Sequence, residues 1–219
     1  MTNKRNLEAE LKNSFIELEI PQDQQNSILR YLDVIRARSE PTWEHSVRVG
    51  LKGKTVAEYT HTVEPKTLYY PGLLHDIGKS LTDPESLGKT TGFDKKDAIE
   101  LSRHPSDSYR ILRGIHDFSA EVALRHHYFQ GERSYPKRLP RSGLRLSHQT
   151  DALISYCARL ISLIDFQDAA AFRKNDNFSP GTPRLPIDDE VKELLIQHNP
   201  DQQYLINALY KAKIFGGDN

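Results

Sequence analysis

The chain has 219 residues, of which 37% are hydrophobic and 27% charged, a composition that supports a folded globular core and excludes a disordered or fibrous chain. Its 30 Lys and Arg residues balance 30 Asp and Glu residues, which argues against a surface built as a whole for duplex nucleic acid or an anionic membrane. Cys157 is the single cysteine and has no internal disulfide partner, no long apolar run marks a membrane span, and the opening MTNKRNLEAELKNSF lacks the apolar stretch of a signal peptide. A cytoplasmic location is expected.

Apolar residues recur at three- and four-residue steps, the period of a helix, and no segment alternates for long as a strand would. Ile28, Leu32 and Ile35 make a first stripe, with Pro21 and Asp23 just ahead of it as entry punctuation. Pro41 and Thr42 open a second segment in which Val47, Leu51 and Val56 face inward and Gly50 and Gly53 weaken the regularity. Further helices are predicted over 68–79, 95–103, 106–115 and 118–127. Residues 128–148 are rich in Arg, Pro and Gly and read as a long loop or lid. Leu153, Ile154, Cys157, Ile161 and Ile164 mark a helix from about Asp151 past Asp165, with Cys157 as a small core residue. A proline-containing stretch, 177–190, then leads to short helices near 188–197 and 201–213. The expectation is an all-α protein with N-terminal helices over 1–40, a central domain over 41–178, and a linker with C-terminal helices over 179–219.

The chemistry concentrates in GLLHDIGKS, residues 72–80. On a helix His75 and Asp76 would lean into one cleft about 100° apart, and Lys79 would share their flank at three and four residues' distance. A neutral imidazole suits a first-row transition metal, and an adjacent carboxylate has two oxygens that can bridge two of them. A His-Asp pair alone is weak: His116-Asp117 repeats it without the apolar helix before or the Gly-Lys after, and reads as a surface turn with Asp117 or Ser119 capping the next helix. His61, His148 and His198 read as ordinary surface histidines. Asp165 falls on or beside a buried helix face, where a carboxylate needs a partner. Asp168 reads as a helix hydrogen-bonding residue.

The partners arranged around the first pair carry more weight: His45 before it, then His104-Pro105 with Ile111-Leu112 shortly after, His126-His127, Tyr135-Pro136, and Asp165 with Asp168-Ala169. This order of motifs, from about Trp43 to Asn175, resembles the HD-domain metal-dependent phosphohydrolase superfamily. Within it the chain is most similar to the HD-GYP branch, whose members hydrolyse cyclic di-GMP. Tyr128 stands where that branch has Glu after the paired histidines, Ser134 where it has the Gly of Gly-Tyr-Pro, and Pro41 where it tends to have a carboxylate.

The resemblance implies an HD helical bundle holding two divalent transition metal ions, Fe, Mn, Ni, Co or Zn. His45, His75, Asp76 and Asp165 would bind one ion, and Asp76 would bridge to a second held by His104 and His126, with His127 as an additional ligand or as a group orienting one. Asp76 and Lys79 would be catalytic: two ions activate a water for in-line attack on phosphorus, and Lys79 neutralises a phosphate oxygen. Lys79, Tyr135, Arg173 and Lys174 would contact the substrate, and Arg133, Lys137, Arg138, Arg141 and Arg145 form either a solvated loop or a basic rim. The expected partner is a small phosphorylated molecule, a nucleotide or cyclic dinucleotide such as cyclic di-GMP, with no membrane; self-association stays open. A di-iron oxygenase and a nucleotide receptor without turnover are the alternatives.

Overall fold

Helices follow one another throughout, and no strand occurs among the described residues, as the all-α expectation has it. The structure, a computed structural model, describes residues 4–89, 92–130, 134–139, 144–172 and 187–216. In chain order the helices are α1 (Lys4–Glu17), α2 (Gln22–Arg38), α3 (Glu40–Thr60), α4 (Pro65–Leu74), α5 (Pro84–Gly88), α6 (Lys95–Leu101), α7 (His104–Leu112), α8 (Asp117–Arg125), α9 (His148–Phe172), α10 (Asp188–His198) and α11 (Gln203–Lys211), with 3-10 turns at Ile77–Leu81 and Pro200–Gln202. No helix among the described residues is long and apolar enough to cross a membrane.

Local chemistry sets the early boundaries. Pro21 precedes α2, whose Ile28, Leu32 and Ile35 are all buried on one face. The Ser39 hydroxyl accepts from the Thr42 amide at 3.3 Å and caps α3, and Pro41 lies in the first turn, where a missing N–H leaves no hydrogen bond unmade.

α3 is the central helix and is buried on two faces. Trp43 and Val47 join an apolar cluster with residues of α1, α2 and α4, so the N-terminal helices share their core with the central ones. Val49, Val56 and Ala57 join a second cluster with α9 and the C-terminal helices, Cys157 among them. Gly50 does not loosen this helix. It is where α4 crosses: a Cβ on Gly72 would lie 2.8 Å from the Gly50 Cα and 2.9 Å from the Val49 carbonyl, so the two backbones meet directly.

The largest departure from the expected elements is at 68–79, where α4 stops at Leu74. Asp76 has φ −99° and ψ 7°, and the chain continues as a 3-10 turn. Tertiary contact causes the break. A Cβ on Gly78 would collide with the His104 carbonyl and lie 2.6 Å from the Ser108 amide nitrogen, so the turn is pressed against α7. The Ser108 hydroxyl accepts from the Gly78 N–H at 2.8 Å and donates to the His75 carbonyl at 2.7 Å. α7 starts two residues earlier than expected, at His104 with Pro105 in its first turn, and ends at Leu112 before Gly114, whose φ is +86°. α9 extends three residues further toward its N-terminus than expected.

Candidate metal centre

His45 comes from α3, His75 and Asp76 from the break after α4, His104 from the first turn of α7, His126 from the C-terminal cap of α8 with His127 just after it, and Asp165 from α9. All seven are buried. Ligand-capable atoms converge in three overlapping groups, His45/His75/Asp76, His75/His126/Asp165 and His104/His126/His127, each with its atoms within 4.8 Å of one another.

Four of the histidines are held from behind. His75 Nδ1–H donates to the Gly72 carbonyl at 2.8 Å, His104 Nδ1–H to Leu101 at 2.7 Å, and His126 Nδ1–H to Ala123 at 2.6 Å. His45 Nδ1–H donates instead to Asp168 Oδ2 at 2.8 Å. With the proton on Nδ1 in each ring, every Nε2 turns a lone pair inward.

The two oxygens of Asp76 face different members of the set. Oδ2 is 3.6 Å from His45 Nε2 and 3.5 Å from His75 Nε2, while Oδ1 is 3.2 Å from His104 Nε2. His45 Nε2 is 3.0 Å from Asp165 Oδ1, His75 Nε2 is 3.8 Å from the same oxygen, and His104 Nε2 is 3.3 Å from His126 Nε2. Bonds of about 2.1 Å to one ion at right-angle to tetrahedral openings put neighbouring ligand atoms roughly 3.0–3.4 Å apart, and half of these pairs lie in that range, the others being 3.5–3.8 Å apart.

Metal ions fit this donor set. His75 Nε2, Asp76 Oδ1 and His127 Nδ1 are buried without a hydrogen-bond partner, each a cost of about 1–3 kcal/mol if nothing satisfies it. Two imidazole lone pairs facing each other, as in His104 and His126, repel unless a cation lies between them. The electrostatics agree. Burial pushes His126 down to about 4 and, with the charge of Lys79, holds His104 well below the usual imidazole value, so both stay neutral. Burial and the neighbouring His126 do the same to His127. For Asp76 burial acts upward but is outweighed by His75, Lys79, His104 and His45, which hold the carboxylate well below its ordinary range. Burial of Asp165 is likewise outweighed by the neighbouring His45 and His75.

Residues 42–170 match the family described as HD domain. The chain belongs to the HD-domain family. Over 177 residues it is 31% identical to a 3'3'-cGAMP-specific phosphodiesterase 1 of Vibrio cholerae serotype O1, an alignment covering 78% of this chain and 41% of the relative. The chain thus spans about two fifths of that relative's length. In this HD domain the His-Asp pair after α4 is the part of the cluster on which His45, His104, His126 and Asp165 converge.

Lys79 is buried and its ammonium pairs with Asp76 Oδ2. That contact follows from the 3-10 turn, in which the Lys79 amide donates to the Asp76 carbonyl at 2.9 Å, and not from the continuous helix expected. Tyr135 is half-buried, and its ring stacks on His127 with centroids 4.3 Å apart and planes at 28°. Lys137, Arg138 and Arg145 are exposed. Arg133, Arg141, Arg173 and Lys174 lie outside the described residues.

His116 is apart from the cluster: its Nε2 is 3.3 Å from the Ser27 hydroxyl and its ring meets Tyr31 edge-on. Asp117 closes the turn before α8 by accepting the Gly114 amide at 2.6 Å, and His116, not Asp117 or Ser119, holds the cap position. His61, His148 and His198 are exposed.

Asp168 is not a local helix hydrogen-bonding residue. It is fully buried and reaches across to α3, where it accepts from His45 and from both Nε and Nη2 of Arg48 at 2.9 Å each. Three residues separate Asp165 from Asp168, and three separate His45 from Arg48. That matched spacing, which puts each pair on one helix face, was the available signal. Ser108 carried the same kind of signal, four residues after His104.

Proposed function

We propose that this chain hydrolyses a phosphodiester bond of a cyclic dinucleotide with two divalent transition metal ions. The observation that carries the reading is the inward convergence of four Nε2 lone pairs on Asp76 and Asp165, with the two Asp76 oxygens turned toward different histidines. His45, His75, Asp76 and Asp165 would hold one ion, and Asp76, His104 and His126, with His127, the other. When bound, such ions supply Lewis acidity toward phosphoryl oxygens and an activated water.

The chain's own residues supply the rest. Lys79 brings a positive charge to the reacting phosphate, where transition-state charge gathers on the non-bridging oxygens. Lys79, His127 and Asp165 are the site residues with residual exposure, at 6%, 7% and 5%, so substrate enters from their side. Tyr135, stacked on His127, borders that entrance, and the exposed Lys137, Arg138 and Arg145 draw a polyanion toward it. Arg173 and Lys174 belong to the same reading as phosphate contacts. The name of the Vibrio cholerae relative makes 3'3'-cGAMP the first substrate to test beside cyclic di-GMP.

The test is elemental analysis of anaerobically purified protein coupled to a hydrolysis screen of 3'3'-cGAMP, cyclic di-GMP and a generic phosphodiester. About two metal ions per chain with cleavage of a cyclic dinucleotide is the expected result. No metal after reconstitution, or metal without cleavage of any phosphodiester, overturns the reading.

A further inference from the structure

Three of the anchored histidines rest on the backbone carbonyl three residues before them, while His45 alone rests on a side chain. That side chain, Asp168, is itself fixed. Arg48 grips its two oxygens as a fork, the Lys52 ammonium stands 3.6 Å from Oδ1, and the Arg48 guanidinium lies 4.3 Å from the centre of the Phe172 ring. A carboxylate held in this way can only accept, so the proton on the facing nitrogen of His45 is pinned to Nδ1 and Nε2 stays open to a ligand.

We infer that Asp168, oriented by Arg48, is a positioning residue that keeps His45 in its metal-binding tautomer and makes the metal position built on His45 the tighter of the two. The inference rests on the two-metal reading above. The same position has Asp76 Oδ2 and, 3.0 Å from His45, Asp165 Oδ1, where the second position has Asp76 Oδ1 and only the more distant Asp165 Oδ2, 3.7 Å from His127. More negative charge and a pinned imidazole both favour the first ion there. In Asp168→Asn the Arg48 fork retains the amide oxygen, and the NH2 group turns toward His45 Nδ1. The ring proton then moves to Nε2 and blocks the lone pair that the ion requires, with no change in side-chain volume.

Zn2+ alone is the probe, in the full chain, by titration calorimetry and by 15N NMR of the histidine rings. Wild type is expected to show two classes of Zn2+ site, and Asp168→Asn to weaken the tighter class by about 10–100-fold while leaving the weaker class and the helical circular dichroism unchanged. The Zn2+-loaded wild type should show His45 protonated at Nδ1, a readout that needs no variant and that a purely structural role for Asp168 would not set. The inference fails if the variant's tighter class stays within roughly threefold of wild type, if both classes fall together, or if loaded His45 carries its proton on Nε2. Zn2+ binding as expected in a protein that cleaves no phosphodiester with any of Fe, Mn, Ni, Co or Zn sinks the proposed function and leaves this inference standing, whereas a wild type that binds no Zn2+ but cleaves with another of these metals sinks this inference alone.

Discussion

The two sides of the metal centre are built by different means. On the α7–α8 side, His104 and His126 sit at helix ends, anchored by carbonyls of their own chain neighbours, and burial keeps them neutral. On the α3–α9 side, His45, Asp165 and Asp168 come from two helices far apart in sequence and are tied together by charge. A locally anchored histidine needs only the correct backbone turn. The long-range side needs the tertiary fold to be in place before any ligand points inward, so the affinity of that position reports on packing, and the other on local helix termini.

Asp76 belongs to both sides, and Asp76→Ala should therefore break both at once: metal content measured by elemental analysis falls for both ions, and hydrolysis falls by about 10³-fold. If full metal content survives, Asp76 does not join the two sides. Lys79→Ala separates charge supply from metal holding. It should keep both ions and lower kcat by about 10²-fold, and a loss of metal in this variant would move Lys79 from the substrate to the architecture.

His104→Ala tests the asymmetry directly, since it should remove the weaker class of metal and spare the tighter one in a calorimetric titration. Ser108→Ala loosens the turn that carries His75 and Asp76 by leaving the Gly78 N–H and the His75 carbonyl without their bridging hydroxyl. Chemical denaturation should show a loss of about 1–3 kcal/mol.

Acid gives the finest comparison, read on the metal-free protein by histidine NMR. Burial opposes protonation of His75, but Asp76 and Asp165 outweigh it and raise the ring above 6.5, while His126 is held at about 4. The raised His75 contributes stability that is present below 6.5 and is lost as pH rises through its folded value. The depressed His126 acts in the opposite sense, with stability lost as pH falls from 6.5 toward about 4. His75 should therefore titrate before His126 on acidification. The reverse order would contradict the electrostatic difference between the two sides.

Much of this was legible in the sequence, for reasons that differ by element. The stripes in α2 and α9 obey helical periodicity because each helix buries one continuous face, and Ile28, Leu32, Ile35, Ile154, Cys157, Ile161 and Ile164 are buried as that period requires, while Leu153, read into the same stripe, lies at its edge and is exposed. The order of the histidines and aspartates made the HD domain recognisable. The break at His75-Asp76 was not legible, because it is imposed by contact of Gly78 with α7, a segment some 30 residues on, and helix propensity carries no trace of that contact. Arg48 and Asp168 were missed for a related reason: each looks like an ordinary charged helix residue until α3 and α9 are laid against each other.

The crossing at Gly50 and Gly72 reaches further than helix packing. Gly72 also supplies the carbonyl that anchors His75, and α3 carries His45 a short distance from the same crossing. Where main chain lies against main chain there is no rotamer to adjust, so the span between His45 and His75 is gauged by peptide geometry and not by the surrounding apolar side chains. Drift in the two apolar clusters can change the stability of this protein without recalibrating its ligand spacing, whereas a single methyl group added at Gly72 would alter the gauge itself.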